Sequence, residues 1–227
     1  MKKIAITYKE PGGIIWKILP DETGDYLVIE SRDGERRRTL LSTLTVSDNQ
    51  FLYTIDKLPK PWWIGLKAVE DTNIILQGYK ESNSPEPKGF YIFEIKTGEL
   101  VQTEEEEIYD SPTNTNKKSE SLFPILYNED NIHYKTIHDF LEQNYQYKAL
   151  GPLEYMEYGN FILISFYIHS TIKITNILLV IDEEGNVVLT DKLIEGADGV
   201  GMATFFICKN KLIYIKNKTS IALAEMI

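Results

Sequence analysis

The sequence predicts an all-β chain of propeller-like architecture: about five small four-stranded antiparallel blades in a single domain over residues 1–227. Three observations predict it. First, residues 71–101 and 158–188 repeat one plan of a turn, an apolar strand, a loop, a second apolar strand, a Gly-containing tight turn and a third strand. Self-similarity of this kind is the mark of a repeat architecture. Second, aligning the strand after each turn makes Tyr26, Asn73, Asn160 and Lys211 equivalent, at spacings of 47, 87 and 51 residues. The long spacing reads as two units of about 44, the size of a blade, so a degenerate copy is expected near Ser119–Tyr134. Third, the last unit, from Ala203, shows three clear strands, and the orphan Ile4–Tyr8 is available as its fourth. Pairing the termini would close the ring and remove open edges. A β-sandwich or two small β domains is the alternative.

Each element has a local reason. Ile4–Tyr8 alternates apolar and polar residues and ends at Glu10-Pro11-Gly12-Gly13; Ile14–Leu19 follows and stops at Pro20. Tyr26–Ser31 and Arg37–Val46 form a hairpin across Arg32-Asp33-Gly34-Glu35, since Asp-Gly is a strong turn signal. Leu40, Leu44 and Val46 face inward from its second arm. Phe51–Ile55 is a further strand, and Pro59-Lys60-Pro61 then punctuates the chain, because proline cannot donate to a ladder. Trp62–Leu66 and Asn73–Tyr79 pair next, followed by a polar loop at Lys80–Lys88. Phe90–Ile95 and Leu100–Thr103 make a hairpin across Lys96-Thr97-Gly98-Glu99. Glu104–Glu107 and Ser111–Ser119 are the longest polar stretch, a surface loop where the repeat is interrupted.

One helix is predicted near 136–145. Ile137, Phe140, Leu141 and Tyr145 form an apolar stripe, with Thr136 as N-cap and Asp139 at the third helical position. It would replace part of the degenerate third blade. Strands then resume at Leu153–Glu157, Phe161–Ile168, Ile172–Ile181, Val187–Leu193, Ala203–Cys208, Leu212–Ile215 and Ile221–Met226.

Composition excludes several function classes. A net charge of −10 argues against a nucleic-acid partner, whose affinity rests on Lys and Arg. No apolar run reaches the roughly 18 residues of a membrane span, and Met1-Lys2-Lys3 is not followed by a signal-peptide core before Pro11. The chain reads as cytoplasmic. The single cysteine, Cys208, sits inside the apolar run Phe205–Cys208 and reads as a small buried hydrophobe.

Candidate chemistry is sparse. His133, His138 and His169 are the only histidines; a spacing of five between the first two does not place both rings on one helix face, so no metal site is expected. No G-x-S-x-G elbow is present. Glu104–Glu107 reads as a solvated loop. The run Gly196-Ala197-Asp198-Gly199-Val200-Gly201 lies between strands, whereas a phosphate loop needs a helix after it. Asp182–Asn186 mimics the start of a calcium loop, but its twelfth position is Leu193, so it reads as a hairpin turn. No catalytic residue and no cofactor is assigned.

Two features stand above this background. All the arginines, Arg32, Arg36, Arg37 and Arg38, fall within seven residues. On a strand Arg36 and Arg38 share a face and Arg37 opposes them, so the arginines act as one clamp only if the hairpin tip bends. Arg36 and Arg38 read either as contacts for an anion or acidic partner or as edge charges of an exposed hairpin. Trp62 and Trp63 are the second candidate pair: adjacent strand residues point to opposite faces, so at most one enters a given core layer. The other is exposed, wedged between blades, or a stacking platform for a sugar or a partner side chain.

The segments Phe93–Val101 and Leu179–Val188 resemble the blades of quinoprotein-type propellers, in which F-x-I-x-x-x-D-x-x-x-G-x-x-x-W recurs. Both lack the terminal Trp, and the first lacks the Asp. The chain also resembles uncharacterised bacterial proteins with propeller-like repeats. The resemblance implies a propeller-like fold; no quinone ligand or catalytic residue carries over. The function expected is a non-enzymatic scaffold binding a protein or small ligand through loops at one face. The alternative is a hydrolase or lyase acting on a carbohydrate-like substrate with carboxylates at a central funnel.

Overall fold

The computed structural model describes residues 5–80, 86–105, 121–170 and 173–226. The polar stretches 81–85 and 106–120, and with them most of the expected loops at Lys80–Lys88, Glu104–Glu107 and Ser111–Ser119, lie outside the described residues. Chain contacts divide the protein into two compact units: residues 9–121 with 218–220, and residues 1–8 with 122–217 and 221–227.

The first of these holds two four-stranded antiparallel sheets. After β1 (Ile6–Lys9), the strands β2 (Ile14–Pro20), β3 (Tyr26–Asp33), β4 (Arg38–Thr45) and β5 (Gln50–Ile55) are hydrogen-bonded in chain order. So are β6 (Ile64–Glu70), β7 (Asn73–Tyr79), β8 (Pro87–Glu94) and β9 (Leu100–Glu104). The inner strands β3 and β7 are buried on both faces along most of their length; outer β9 is exposed along its length. Val28 and Leu41 of one sheet pack with Ile64, Leu66, Ile74, Leu76, Tyr91 and Phe93 of the other in one core.

In the other unit β11 (Ile125–Tyr127), β12 (Leu150–Tyr158), β13 (Phe161–His169), β14 (Ile174–Asp182) and β15 (Val187–Ala197) form a five-stranded sheet in chain order. The last sheet has the order β1, β18 (Ser220–Glu225), β17 (Lys211–Lys216), β16 (Phe205–Cys208), β10 (Ser121–Leu122). The strand expected from Ile4–Tyr8 thus hydrogen-bonds the C-terminal strand. Period-two alternation sorts the β12–β15 residues between two cores. Leu163, Leu178 and Val180 pack with Phe205, Leu212 and Tyr214, whereas Ile164, Phe166, Ile177 and Leu179 pack with Ile137 and Leu141 of the helix α1 (Tyr134–Tyr145). Burial on both faces explains why β13 and β14 read as nearly unbroken apolar runs.

Three expectations are corrected. The described residues form four sheets rather than about five, because the expected degenerate copy is divided: β10 joins the β16–β18 sheet and β11 joins β12. Pro124 stands between them and cannot continue a ladder. The helix does not replace part of a blade; it covers the face of the β11–β15 sheet. It also begins two residues before Thr136, with His133 at the N-cap and no side-chain cap bond. A turn from Asn128 to Asn131 starts it: the Asn131 carbonyl accepts the Tyr134 N–H at 3.1 Å and its side chain accepts the His133 N–H at 2.9 Å. Asp139 instead pairs with Lys135 one turn earlier, at 2.5 Å, which holds its carboxyl below the usual range. Among the described residues no helix is long and apolar enough to cross a membrane.

Candidate functional site: a tryptophan cleft around Arg32

All three tryptophans of the chain line one cleft of about 380 Å³, together with Ile14, Arg32, Gly34 and Tyr79. Each comes from a different local structure. Ile14 and Trp16 open β2, the outer strand of its sheet, and Trp16 is 70% exposed. Arg32 lies near the end of β3, in register with Ile14. Trp62 and Trp63 belong to the bend that Pro59 and Pro61 introduce ahead of β6, and Tyr79 ends β7. The Trp63 carbonyl accepts the Tyr79 N–H at 2.9 Å, tying bend to strand.

Arg32 organises this cleft through four hydrogen bonds and an ion pair from its guanidinium. Its Nε donates to Glu30 Oε1 at 2.8 Å, and Nη2 completes the ion pair with the same carboxylate. Nη1 donates to Thr39 Oγ1 at 2.7 Å and to the Trp62 carbonyl at 2.5 Å; Nη2 donates to the Ile64 carbonyl at 2.7 Å. Glu30, almost wholly buried, takes the Leu66 N–H on its other oxygen at 2.6 Å. The guanidinium charge is therefore neutralised, and its plane is left to meet aromatic faces, 5.8 Å from the Trp16 ring centroid and 5.4 Å from that of Trp62. Stacking of this kind needs the planar fork of arginine. Among the described residues no indole N–H of the cleft, nor the Tyr79 hydroxyl, has a hydrogen-bond partner.

A second, polar cleft of about 450 Å³ adjoins the first, sharing Ile14, Arg32 and Gly34 and adding Glu10, Gly12, Gly13, Asp33, Glu35 and Thr219. Gly13 permits the close passage of β2 over β3: its φ is +71°, and an added Cβ would lie 2.4 Å from the Arg32 carbonyl oxygen. Asp33 accepts the Arg36 N–H at 3.0 Å and pairs with Arg38 and Arg36, at 3.2 and 3.6 Å. These partners, the Arg36 N–H foremost, hold its carboxyl below the usual range.

The structure brings Trp62 and Trp63 together at the cleft but places Arg36 and Arg38 outside its lining. The hairpin turns over residues 34–37, with Arg37 at φ +48°, so Arg36 belongs to the turn and not to a strand face shared with Arg38. Arg38 is engaged by Asp33 and by Asp56 at 3.0 Å. Trp16, Arg32 and Tyr79 join the cleft through strand register and packing; their one local mark in the sequence is the Pro-Gly-Gly turn just ahead of Trp16.

The remaining candidates resolve into ordinary local structure. Among the described residues no group of three or more His, Cys, Asp or Glu is placed to hold a metal ion. The backbone donors following the Gly196–Gly201 run are taken by an internal anion: the buried Glu154 carboxylate accepts from the N–H groups of Ala203 and Thr204 and from the Thr204 hydroxyl. Asp182 caps its own turn, accepting the Asn186 N–H at 2.7 Å, with Gly185 at φ +80°. Cys208 is fully buried.

Residues 20–101 match the domain family described as "Domain of unknown function (DUF4905)", a span that takes in every cleft-lining residue except Ile14 and Trp16. No curated protein matches the chain. Among solved structures, one similar to it is the β-propeller domain of the Trilobed protease from Pyrococcus furiosus, described as having an open velcro topology, at 9% identity and a TM-score of 0.29. The similarity covers 89% of this chain and 50% of that one, so the chain spans about half the length of that structure.

Proposed function

We propose that the chain is a non-enzymatic binding module, its sheets the blades of a propeller-like domain and its ligand site the tryptophan cleft around Arg32. The observation that carries the reading is that Trp16, Trp62, Trp63 and Tyr79 converge on one concave surface while Arg32, the one cation among its described lining residues, is hydrogen-bonded internally. Large apolar surface left in water is unfavourable, by roughly 25 cal/mol per Å², so a cluster that presents an exposed tryptophan suits a partner that covers it. The blade reading is supported by the repeated sheets and by the pairing of β1 with β18. Asp33, whose carboxyl the Arg36 N–H holds below the usual range, is not suited to act as a general acid.

The test is a ligand screen read by intrinsic tryptophan fluorescence and thermal shift, run in parallel on the parent protein and on Trp16→Ala. Ligands of the cleft should shift the emission of the parent and lose about tenfold or more in affinity for the variant. A ligand that raises Tm, leaves the emission unchanged and binds Trp16→Ala equally well would move the site elsewhere.

A further inference from the structure

We infer that the occupant of the cleft is a proline-rich peptide segment in the polyproline II conformation, flanked by lysine or arginine. The inference rests on the reading of the cleft as a ligand site and adds the ligand's chemistry.

The argument begins with hydrogen-bond arithmetic. An indole N–H is a donor with no acceptor capacity, and the residues lining the cleft carry three of them together with the Tyr79 hydroxyl, all without partners among the described residues. Its one strong cation adds nothing, because the Arg32 donors are spent on Glu30, Thr39 and the carbonyls of Trp62 and Ile64. The matching ligand therefore offers acceptors and apolar rings and brings few donors of its own. A polyproline II segment meets that description: its carbonyls are not used internally, its prolines have no N–H, and its pyrrolidine rings stack on aromatic faces. Its preformed conformation also lowers the ordering cost of binding. A sugar meets it less well, since every hydroxyl brings a donor and the lining side chains of the cleft supply the Tyr79 oxygen as acceptor.

Charge sets the flanks. The adjoining cleft carries Glu10, Asp33 and Glu35. Asp33 is matched by Arg36 and Arg38, and Glu10 has only a 3.3 Å bond from the Ser220 hydroxyl. Glu35 has no partner among the described residues. A peptide leaving the aromatic cleft past Ile14 and Gly34, which line both clefts, meets the carboxylates of Glu10 and Glu35, while the arginines that match Asp33 stand outside both linings. A basic flank is attracted and an acidic one repelled.

The experiment is a calorimetric and fluorescence titration of the full chain with four probes: a proline octamer with lysine flanks, the same octamer with glutamate flanks, a lysine-flanked alanine octamer, and a neutral β-glucan hexasaccharide. The lysine-flanked proline peptide should bind about tenfold or more tighter than each of the others, weaken with salt, and lose about tenfold in Trp16→Ala. Tyr79→Phe should weaken it by a smaller factor, and Glu10→Gln with Glu35→Gln should erase the preference for lysine over glutamate flanks. Equal affinity for the proline and alanine peptides would overturn the inference, as would lysine-flanked proline binding that is indifferent to Trp16→Ala. Binding of the hexasaccharide without the peptides, sensitive to Trp16→Ala, would overturn the peptide while leaving the cleft as the ligand site. Failure of all four probes overturns the peptide alone, and the broader screen described above then decides the cleft.

Discussion

The Arg32 guanidinium lies 5.4 Å from the ring centroid of Trp62 while donating a 2.5 Å hydrogen bond to the carbonyl of the same residue. One side chain thus fixes both the backbone and the ring of the tryptophan it supports. The pin is anchored below by Glu30, whose buried carboxylate also takes the Leu66 N–H. A charged pair set this deep is positioned by its neighbours and positions them in turn. Its energetic worth lies in the penalty for breaking it.

That penalty sets the first prediction. Arg32→Lys keeps the charge but replaces five planar donors by three on a flexible stem, leaving a carbonyl or a Glu30 oxygen unmatched. We expect a loss of about 2–4 kcal/mol in urea unfolding, with a red-shifted tryptophan emission in the folded state. Arg38→Lys is the control: of its two partners Asp56 is half exposed and Asp33 keeps the Arg36 N–H, so the loss there should stay below about 1 kcal/mol. Equal effects of the two substitutions would refute the pin.

Glycine geometry supplies a second contrast. Gly13 and Gly159 both have positive φ, +71° and +55°. At Gly13 an added Cβ would lie 2.4 Å from the Arg32 carbonyl oxygen, a backbone atom held in the β2–β3 ladder; at Gly159 nothing lies within 4 Å. Gly13→Ala should therefore cost about 3 kcal/mol or more and disturb the cleft, combining left-handed strain with overlap. Gly159→Ala meets only the conformational cost, about 1 kcal/mol. Thermal unfolding of the two variants ranks them directly.

The same contrasts show what could be read from residues alone. The hairpins around Tyr26, Asn73, Phe161 and Lys211 were legible because short turns and apolar strands leave local marks. The division of the expected fifth copy was not, since Ser121–Leu122 and Ile125–Tyr127 are each too short to reveal a partner. The pair Trp62–Trp63 was noticed for its chemistry, but the cleft joins residues near 14, 32, 62 and 79. Only the register of β2 on β3 and the packing of β6 beside them bring those positions together. The shared face of Arg36 and Arg38 holds only for a strand that runs through both, and the turn at Arg37 interrupts it.

A titration prediction follows from the cluster around Asp191. Its carboxylate accepts from Tyr214 Oη at 2.7 Å and Tyr8 Oη at 3.3 Å, and pairs with Lys216. Burial first, and then the bond to Asp191, push the Tyr214 phenol well above its usual value. Burial pulls the Lys216 ammonium down, but Asp191 outweighs it and the net shift is upward. Both groups keep their protons in the folded chain at a pH where the unfolded chain has begun to lose them. Their stabilisation is therefore complete below about pH 10, the unfolded value, and declines as pH rises from there toward the folded values. Urea midpoints should be flat from pH 8 to 9 and fall above 10, and Tyr214→Phe should make the fall shallower by up to one proton, about 1.4 kcal/mol per pH unit. An unchanged slope in that variant would remove Tyr214 from the account.

Tyr8 reaches this cluster from β1, which gives the terminal pairing its own test. Removing residues 1–8 deletes most of the strand beside β18, the Tyr8 hydroxyl bond to Asp191 and the cation–π contact of Lys216 with the Tyr8 ring, 5.6 Å from its centroid. The β18 edge is then unpaired, and Ile6 no longer covers the core that contains Leu212, Tyr214 and Ala222. Lost apolar cover and lost ladder bonds act in the same direction, so stability should fall by about 2–5 kcal/mol. A bare edge also invites pairing with another copy, so the truncated chain should associate with rising concentration where the parent does not. Adding the peptide of residues 1–8 back in trans should reverse both effects if strand pairing is their cause. Light scattering and urea unfolding of the truncated chain, with and without the peptide, separate this outcome from a terminal strand that contributes nothing.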